Sequence, residues 1–257
     1  MDGKRGFASE WNRRRRHRGG LDDEVIYTVT LDLDGTILRS PFWRLHFRPW
    51  LEELGQRRGV SIGELWTPIR EMGDRRWNHG DWVGAFDWGG MVEEVYGEIL
   101  PDPRIPRADQ VAPLLMPYVG ETLLELAKLP VRYRVLTNGF YRYQAPYLRA
   151  LGYDRNFLEM VTPDRCGAAK PDPRVFSGLG PILCHVGDRP EHDTLAARRA
   201  GVIAVQCGPT PLDRDRPDRM ARAVDPGIDL VDIRALPEVI RRMLASLPSS
   251  WFGLGGM

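Results

Sequence analysis

Apolar positions along this chain fall into short β-rich runs separated by stretches with helical spacing. The strand candidates are Val25–Leu33, Val131–Thr137, Ile182–Val186, Val202–Gln206 and Asp229–Ile233. Helical patterns cover Glu121–Leu129, Gln144–Leu151, Pro173–Ser177, Thr194–Ala200 and Pro237–Leu247. This alternation predicts an α/β fold, a parallel sheet with helices on both faces. Ligands in such sheets bind outside the carboxyl ends of the strands. Asp32, Asn138 and Asp188 each stand at such an end, which predicts one composite site.

Residues 41–113 interrupt the alternation and read as helical. Ser61-Ile62-Gly63-Glu64 is a capping box that should start a helix. Pro49 and Pro68 lie where helices would continue, so kinks or breaks are expected there. Six of the eight tryptophans (Trp43, Trp50, Trp66, Trp77, Trp82 and Trp88) fall in this insert. They are expected to fill the core of a small helical bundle. The alternative is that one or two stack on a substrate ring. Pro146, inside the Gln144–Leu151 pattern, suggests a local kink.

Composition narrows the class. The chain has 257 residues, 42% hydrophobic and 28% charged, enough for one large or two modest globular domains. The net charge of +1 gives the bulk no nucleic-acid signature, but the charge is uneven. Residues 1–20 hold seven Lys/Arg against Asp2 and Glu10, a local excess of five, so the remainder carries −4. This polar, aperiodic segment reads as a disordered tail, or else as an electrostatic arm around Arg13–Arg16. No apolar stretch follows it, so it is not read as a secretory signal. Residues 248–257 read as a second loose tail. Cys166, Cys184 and Cys207 form no CxxC pattern, which argues against a disulfide framework or zinc site and fits a reducing, cytoplasmic setting. No run of about 18 apolar residues marks a membrane span.

The chemistry concentrates in four short segments. Asp32-Leu33-Asp34-Gly35-Thr36 puts two carboxylates two positions apart at a strand end, on one face of an extended chain. One can act as nucleophile and the other as acid/base. The Gly35-Thr36 turn offers backbone N–H groups to an anion. Val135-Leu136-Thr137-Asn138-Gly139 ends the second strand with a hydroxyl, an amide and a glycine. Gly167-Ala168-Ala169-Lys170-Pro171-Asp172-Pro173 places a lysine before a helix start. Val186-Gly187-Asp188-Arg189-Pro190-Glu191-His192-Asp193 ends a third strand with two aspartates five residues apart. Each has an ordinary reading by itself: a solvated turn, a strand exit, a surface lysine, and an N-cap at Asp193 with Gly201 as the helix stop.

Taken in order, the four segments resemble the signature motifs of the haloacid dehalogenase (HAD) superfamily. Gln144, Leu148 and Val175-Phe176 agree with the family's pattern. The resemblance spans residues 25 to about 247 and implies a three-layer, Rossmann-like parallel core. The core would comprise 21–40 and 114–247, and the insert 41–113 would be a helical C1 cap. It further implies a role for each motif residue. Asp32 would be the nucleophile that forms an aspartyl-phosphate. Asp34 would protonate the leaving oxygen and then activate water, its backbone carbonyl binding magnesium. Thr137 and the amide of Asn138 would hold phosphoryl oxygens, and Lys170 would neutralise Asp32 and the phosphate. Asp188 would ligate the metal, and Asp193 would support it or bind through water.

Charge agrees with that implication. Four aspartates and one lysine leave the cluster at −3. Two unit charges about 4 Å apart repel by roughly 4 kcal/mol at an effective dielectric near 20. Such a site needs a divalent cation, and an all-oxygen donor set points to Mg²⁺. Neighbouring carboxylates should raise the pKa of Asp34, as suits a general acid. In this superfamily an aspartate at that position favours phosphate esters over C–halogen or C–P bonds.

The expectation is therefore a Mg²⁺-dependent phosphatase acting on a small phosphorylated metabolite, with no membrane and no nucleic-acid partner, as monomer or homodimer. The rivals are a sugar phosphomutase and a non-catalytic HAD-fold binding protein using the basic arm. Specificity should come from the cap. Arg44, His46, Arg75, Arg76 and His79 are its candidate handles for a polar or anionic leaving group.

Overall fold

The computed structural model describes residues 26–153, 159–207, 227–230 and 232–247. The expectations for the tails, 1–20 and 248–257, lie outside the described residues.

Six parallel strands form one sheet: β1 (Thr28–Leu31), β2 (Arg132–Leu136), β3 (Glu159–Val161), β4 (Ile182–Gly187), β5 (Ala204–Cys207) and β6 (Ile228–Leu230). Their order is β3-β2-β1-β4-β5-β6, a three-layer Rossmann-like core with helices. Five were legible in the sequence; β3 is three residues long and was missed. All of β1 is buried, as a strand covered on both faces requires. Its two threonines are satisfied: Thr28 Oγ1 donates to the Leu179 carbonyl at 3.0 Å, and Thr30 Oγ1 pairs with His185 Nδ1 at 2.9 Å.

The order of connection reverses at β1, with β2 on one side and β4 on the other. That reversal opens a crevice beyond the strand ends. Leu31 sits level with Val135 and Val186, so the three central strands end together.

Between β1 and β2 the chain is helical, as expected. A π-helical turn, Trp43–Phe47, runs into α1 (Arg48–Arg58), then α2 (Ile62–Asn78), α3 (Trp88–Tyr96), α4 (Ala108–Val111) and α5 (Val119–Leu126). The remaining helices are α6 (Tyr141–Ala150), α7 (Pro163–Cys166), α8 (Leu195–Arg199) and α9 (Leu236–Ala245). The Pro173–Ser177 pattern forms a 3₁₀ turn, Pro173–Phe176. The helix expected from Thr194 is preceded by a π-helical turn, Pro190–Thr194.

The capping box is present. Ser61 Oγ accepts from the Glu64 N–H, and Glu64 accepts from the Ser61 N–H at 2.8 Å. Pro49 marks the change from π- to α-helix near the start of α1. Of the kink or break expected at Pro68, no break occurs, and α2 runs through it. A mid-helix proline costs about 3 kcal/mol. The capped start and the buried face of Leu65, Ile69 and Met72 offset that cost. Helix α6 likewise runs through Pro146.

None of the six insert tryptophans is fully buried. The insert's buried apolar side chains are Phe47, Leu51, Leu54, Leu65, Ile69, Met72, Met91 and Val92, continuous with the core under the sheet. Trp43, Trp50, Trp66 and Trp88 pack on its outside. The expectation that the tryptophans fill the bundle core is corrected accordingly: aliphatic side chains, Met72, Met91 and Phe47 fill it, and the half-buried indoles cover its edges.

Candidate active site

Asp32 follows β1 directly, and its N–H donates to the Val186 carbonyl at 2.8 Å, which extends the sheet pairing by one residue. The chain then turns back, with the Gly35 N–H on the Leu38 carbonyl at 2.8 Å. Gly35 has φ +100°, and a Cβ there would lie 2.3 Å from Asp188 Oδ2. Glycine thus allows both the turn and the approach to Asp188.

Lys170 reaches this strand end from another loop and is almost fully buried. Its ammonium donates to Asp32 Oδ1 at 2.6 Å, Asp193 Oδ1 at 2.5 Å and the Leu136 carbonyl at 2.8 Å. All three of its donors are therefore used. Asn138 braces the backbone behind it: its side chain donates to the Lys170 carbonyl and accepts from the Lys170 N–H, both at 2.8 Å. Thr137 Oγ1 accepts from the Gly139 N–H at 3.1 Å.

Asp193 is buried and fully engaged. Besides Lys170 it pairs with His185 Nε2 at 3.1 Å and accepts from the Arg189 N–H at 2.9 Å. It does not cap the helix that follows, so that reading is set aside. A Cβ on Gly187 would lie 2.2 Å from Asp193 Cγ. Oxygens of Asp32, Asp188 and Asp193 all fall within 4.8 Å of one another. This buried, all-oxygen donor set fits a hard divalent cation.

Burial raises the pKa of Asp32, and Lys170 opposes that. Burial also acts on Asp193, but Lys170 and His185 outweigh it and hold the carboxyl below its usual range. Burial followed by the charge of Asp32 pushes Asp34 up to about 7. Gln144 opposes this shift, its Nε2 donating to Asp34 Oδ2 at 2.7 Å. Burial thus raises both carboxyls of the pair, and only Asp32 has the Lys170 ammonium hydrogen-bonded to it in opposition.

The sequence matches the family model for haloacid dehalogenase-like hydrolases over residues 26–201. The chain belongs to this family. It is 31% identical over 121 residues to a glyceraldehyde 3-phosphate phosphatase of Methanopyrus kandleri, covering 41% of this chain and 52% of that protein. It is 29% identical over 177 residues to a phosphoserine phosphatase of Thermus thermophilus, covering 62% of this chain and 67% of that protein. The chain therefore spans about half the length of the first relative and two thirds of the second. In fold it is similar to a HAD phosphatase from Thermococcus onnurineus, with TM-score 0.56 and 20% identity over 84% of this chain and 98% of that one.

In this haloacid dehalogenase-like hydrolase the seven motif residues of the core converge on one strand-end crevice. The five expected handles of the insert do not behave as a group. His46 Nε2 bonds the Pro101 carbonyl at 2.7 Å, and Arg76 bonds the Gly84 carbonyl at 2.9 Å and Glu94 at 2.5 Å. His79 Nδ1 bonds the Arg75 carbonyl at 2.7 Å, while Arg44 and Arg75 are exposed. The partners of His46, Arg76 and His79 lie within the insert, so these side chains hold its own turns.

Other side chains join the insert to the core. Trp77 lies tilted against His192 with centroids 4.5 Å apart, and Phe86 meets the same ring edge-on at 5.8 Å. Arg142 lies 3.8 Å from Asp87 and 3.9 Å from Asp102. His185, His192 and the bond from Gln144 to Asp34 went unread in the sequence. For His185 a signal existed: a polar residue inside an apolar strand must find a buried partner. Among the described residues no helix is long and apolar enough to cross a membrane.

Proposed function

We propose that this chain is a Mg²⁺-dependent phosphomonoester hydrolase working through an aspartyl-phosphate on Asp32. The observation that carries the reading is the pairing of Asp32, held against Lys170 at 2.6 Å, with Asp34, which is protonatable near neutral pH. A carboxylate nucleophile and a neutral carboxylic acid two residues away are the two groups that cleavage of an alkyl phosphate needs. The phosphatase relatives support this reading.

Asp32, Asp188 and the backbone carbonyl of Asp34 would hold the cation, with Asp193 fixing the loop behind them. When bound, the cation would supply positive charge against the phosphoryl oxygens. Lys170 adds a positive charge at Asp32. The hydroxyl of Thr137 and the backbone N–H of Asn138 hold the phosphoryl group, because the Asn138 side chain is committed to Lys170. Asp34 gives its proton to the leaving oxygen as Asp32 bonds phosphorus. It then takes a proton from the water that cleaves the aspartyl-phosphate. The helical insert 41–113 acts as the cap, and a small phosphorylated metabolite is the substrate class.

Phosphate release from para-nitrophenyl phosphate, sugar phosphates, phosphoserine and nucleotides tests this, with Mg²⁺, with EDTA and with Asp32→Asn. Mg²⁺-dependent release that the substitution abolishes is expected. Release that persists in Asp32→Asn would contradict it.

A further inference from the structure

Gln144 comes from α6, outside the four motif loops, yet it makes the one side-chain hydrogen bond recorded for Asp34 among the described residues. It is buried, and its approach is built into the loop before it. A Cβ on Gly139 would lie 2.2 Å from Gln144 Nε2 and 2.7 Å from its Cγ. The glycine that ends the second motif thus leaves room for this side chain. Tyr147, one turn on along the same helix face, is also buried.

The two oxygens of Asp34 are not equivalent. Oδ2 accepts the Gln144 N–H, while Oδ1 is buried with no hydrogen-bond partner among the described residues. An amide N–H and an acid O–H directed at each other would repel. The proton of a neutral Asp34 therefore belongs on Oδ1. A buried acid oxygen without a protein partner has its bonding capacity left for another molecule.

The geometry points to Gln144 as a positioning residue that pins Oδ2 of Asp34 and so presents Oδ1 as the oxygen that exchanges protons with substrate and water. This rests on the phosphatase reading above. In the first step Oδ1–H gives its proton to the ester oxygen as that oxygen leaves phosphorus and Asp32 bonds it. In the second, water bonds phosphorus, its proton passes to Oδ1, and the Asp32 carboxylate is released.

The test compares kcat/KM for an alkyl ester, phosphoserine, with that for an aryl ester, para-nitrophenyl phosphate, in Mg²⁺. Because kcat/KM reports steps through departure of the leaving group, it isolates the first proton transfer. An alkoxide needs that proton and a nitrophenolate largely does not. General acid catalysis is worth about 10²- to 10⁴-fold. Gln144→Leu should lower the alkyl value by about 30-fold or more and the aryl value by less than about 3-fold, within that range for a displaced acid. Gln144→Met serves as a second variant of similar length, and thermal melting confirms that each folds. Asp34→Asn should show the same alkyl-selective loss, only larger. Equal losses for both esters, or no loss, would overturn the role of Gln144 while leaving the phosphatase reading intact. Wild-type protein that releases no phosphate from either ester would overturn both.

Discussion

The Lys170 ammonium lies 2.6 Å from Asp32 Oδ1 across 138 residues of sequence, and the same nitrogen meets Asp193 at 2.5 Å. One buried cation thus ties the ends of two strands to a third loop. Removing it would leave two buried carboxylates without their counter-charge. Breaking a buried ion pair from one side costs about 3–5 kcal/mol. Lys170→Met should destabilise the metal-free protein by about that amount in urea denaturation. It should also lower kcat by about 10²- to 10³-fold or more, the cost of losing one charge-stabilising donor.

Asp34 and Asp193 should impose opposite pH dependence on the stability of the metal-free protein. Asp34 rises from 3.8 to about 7 on folding, so the folded chain holds this proton more tightly. Its contribution is full below about pH 4 and is lost as pH rises toward 7. Asp193 is held below its usual range, so its contribution is present above about pH 4 and fades as acid protonates it. Urea denaturation of wild type and Asp34→Asn between pH 4 and 7 checks this. The substitution should remove a downward slope of stability with rising pH.

Much of this site was legible because its chemistry is local. Asp32 and Asp34 declare themselves by spacing, and Asp188 and Asn138 by standing at the ends of apolar runs. The relationships between loops were not legible. Nothing near Gln144 in sequence says that its amide meets a carboxyl 110 residues away. The three-residue β3 is too short to carry a period. At Pro68 the helix is not broken, because tertiary burial of α2 outweighs the lost hydrogen bond. The basic residues of the insert cannot be sorted by sequence for another reason: a charged side chain looks the same there whether it faces a substrate or braces a turn, as His46, Arg76 and His79 do.

Gly35 should tolerate no side chain. Its φ of +100° is already unfavourable for any other residue, and a Cβ would meet Asp188 Oδ2 at 2.3 Å. Gly35→Ala should displace Asp188 and weaken Mg²⁺ binding by about 10- to 100-fold, the usual scale for disturbing a ligand's support. Titration calorimetry measures this directly.

Trp77 should report on the loop that carries Asp193. Its ring lies 4.5 Å from His192, the residue preceding Asp193. Aromatic pairs of this kind contribute about 0.5–1.5 kcal/mol beyond burial. Trp77→Phe should therefore lose about 0.5–1.5 kcal/mol of pairing with His192, besides the ring area it no longer buries. It should also abolish most of any change in tryptophan fluorescence seen on adding Mg²⁺.

The central claim is that Asp32 accepts the phosphoryl group, and the most direct measurement is covalent labelling. Protein reacting with radiolabelled acetyl phosphate in Mg²⁺ is quenched in acid and separated under denaturing conditions. The account predicts label on the wild-type chain, released by hydroxylamine as an acyl phosphate should be, and none on Asp32→Asn. Label of equal intensity on Asp32→Asn, or hydrolysis by wild type with no label trapped at any time, would contradict it.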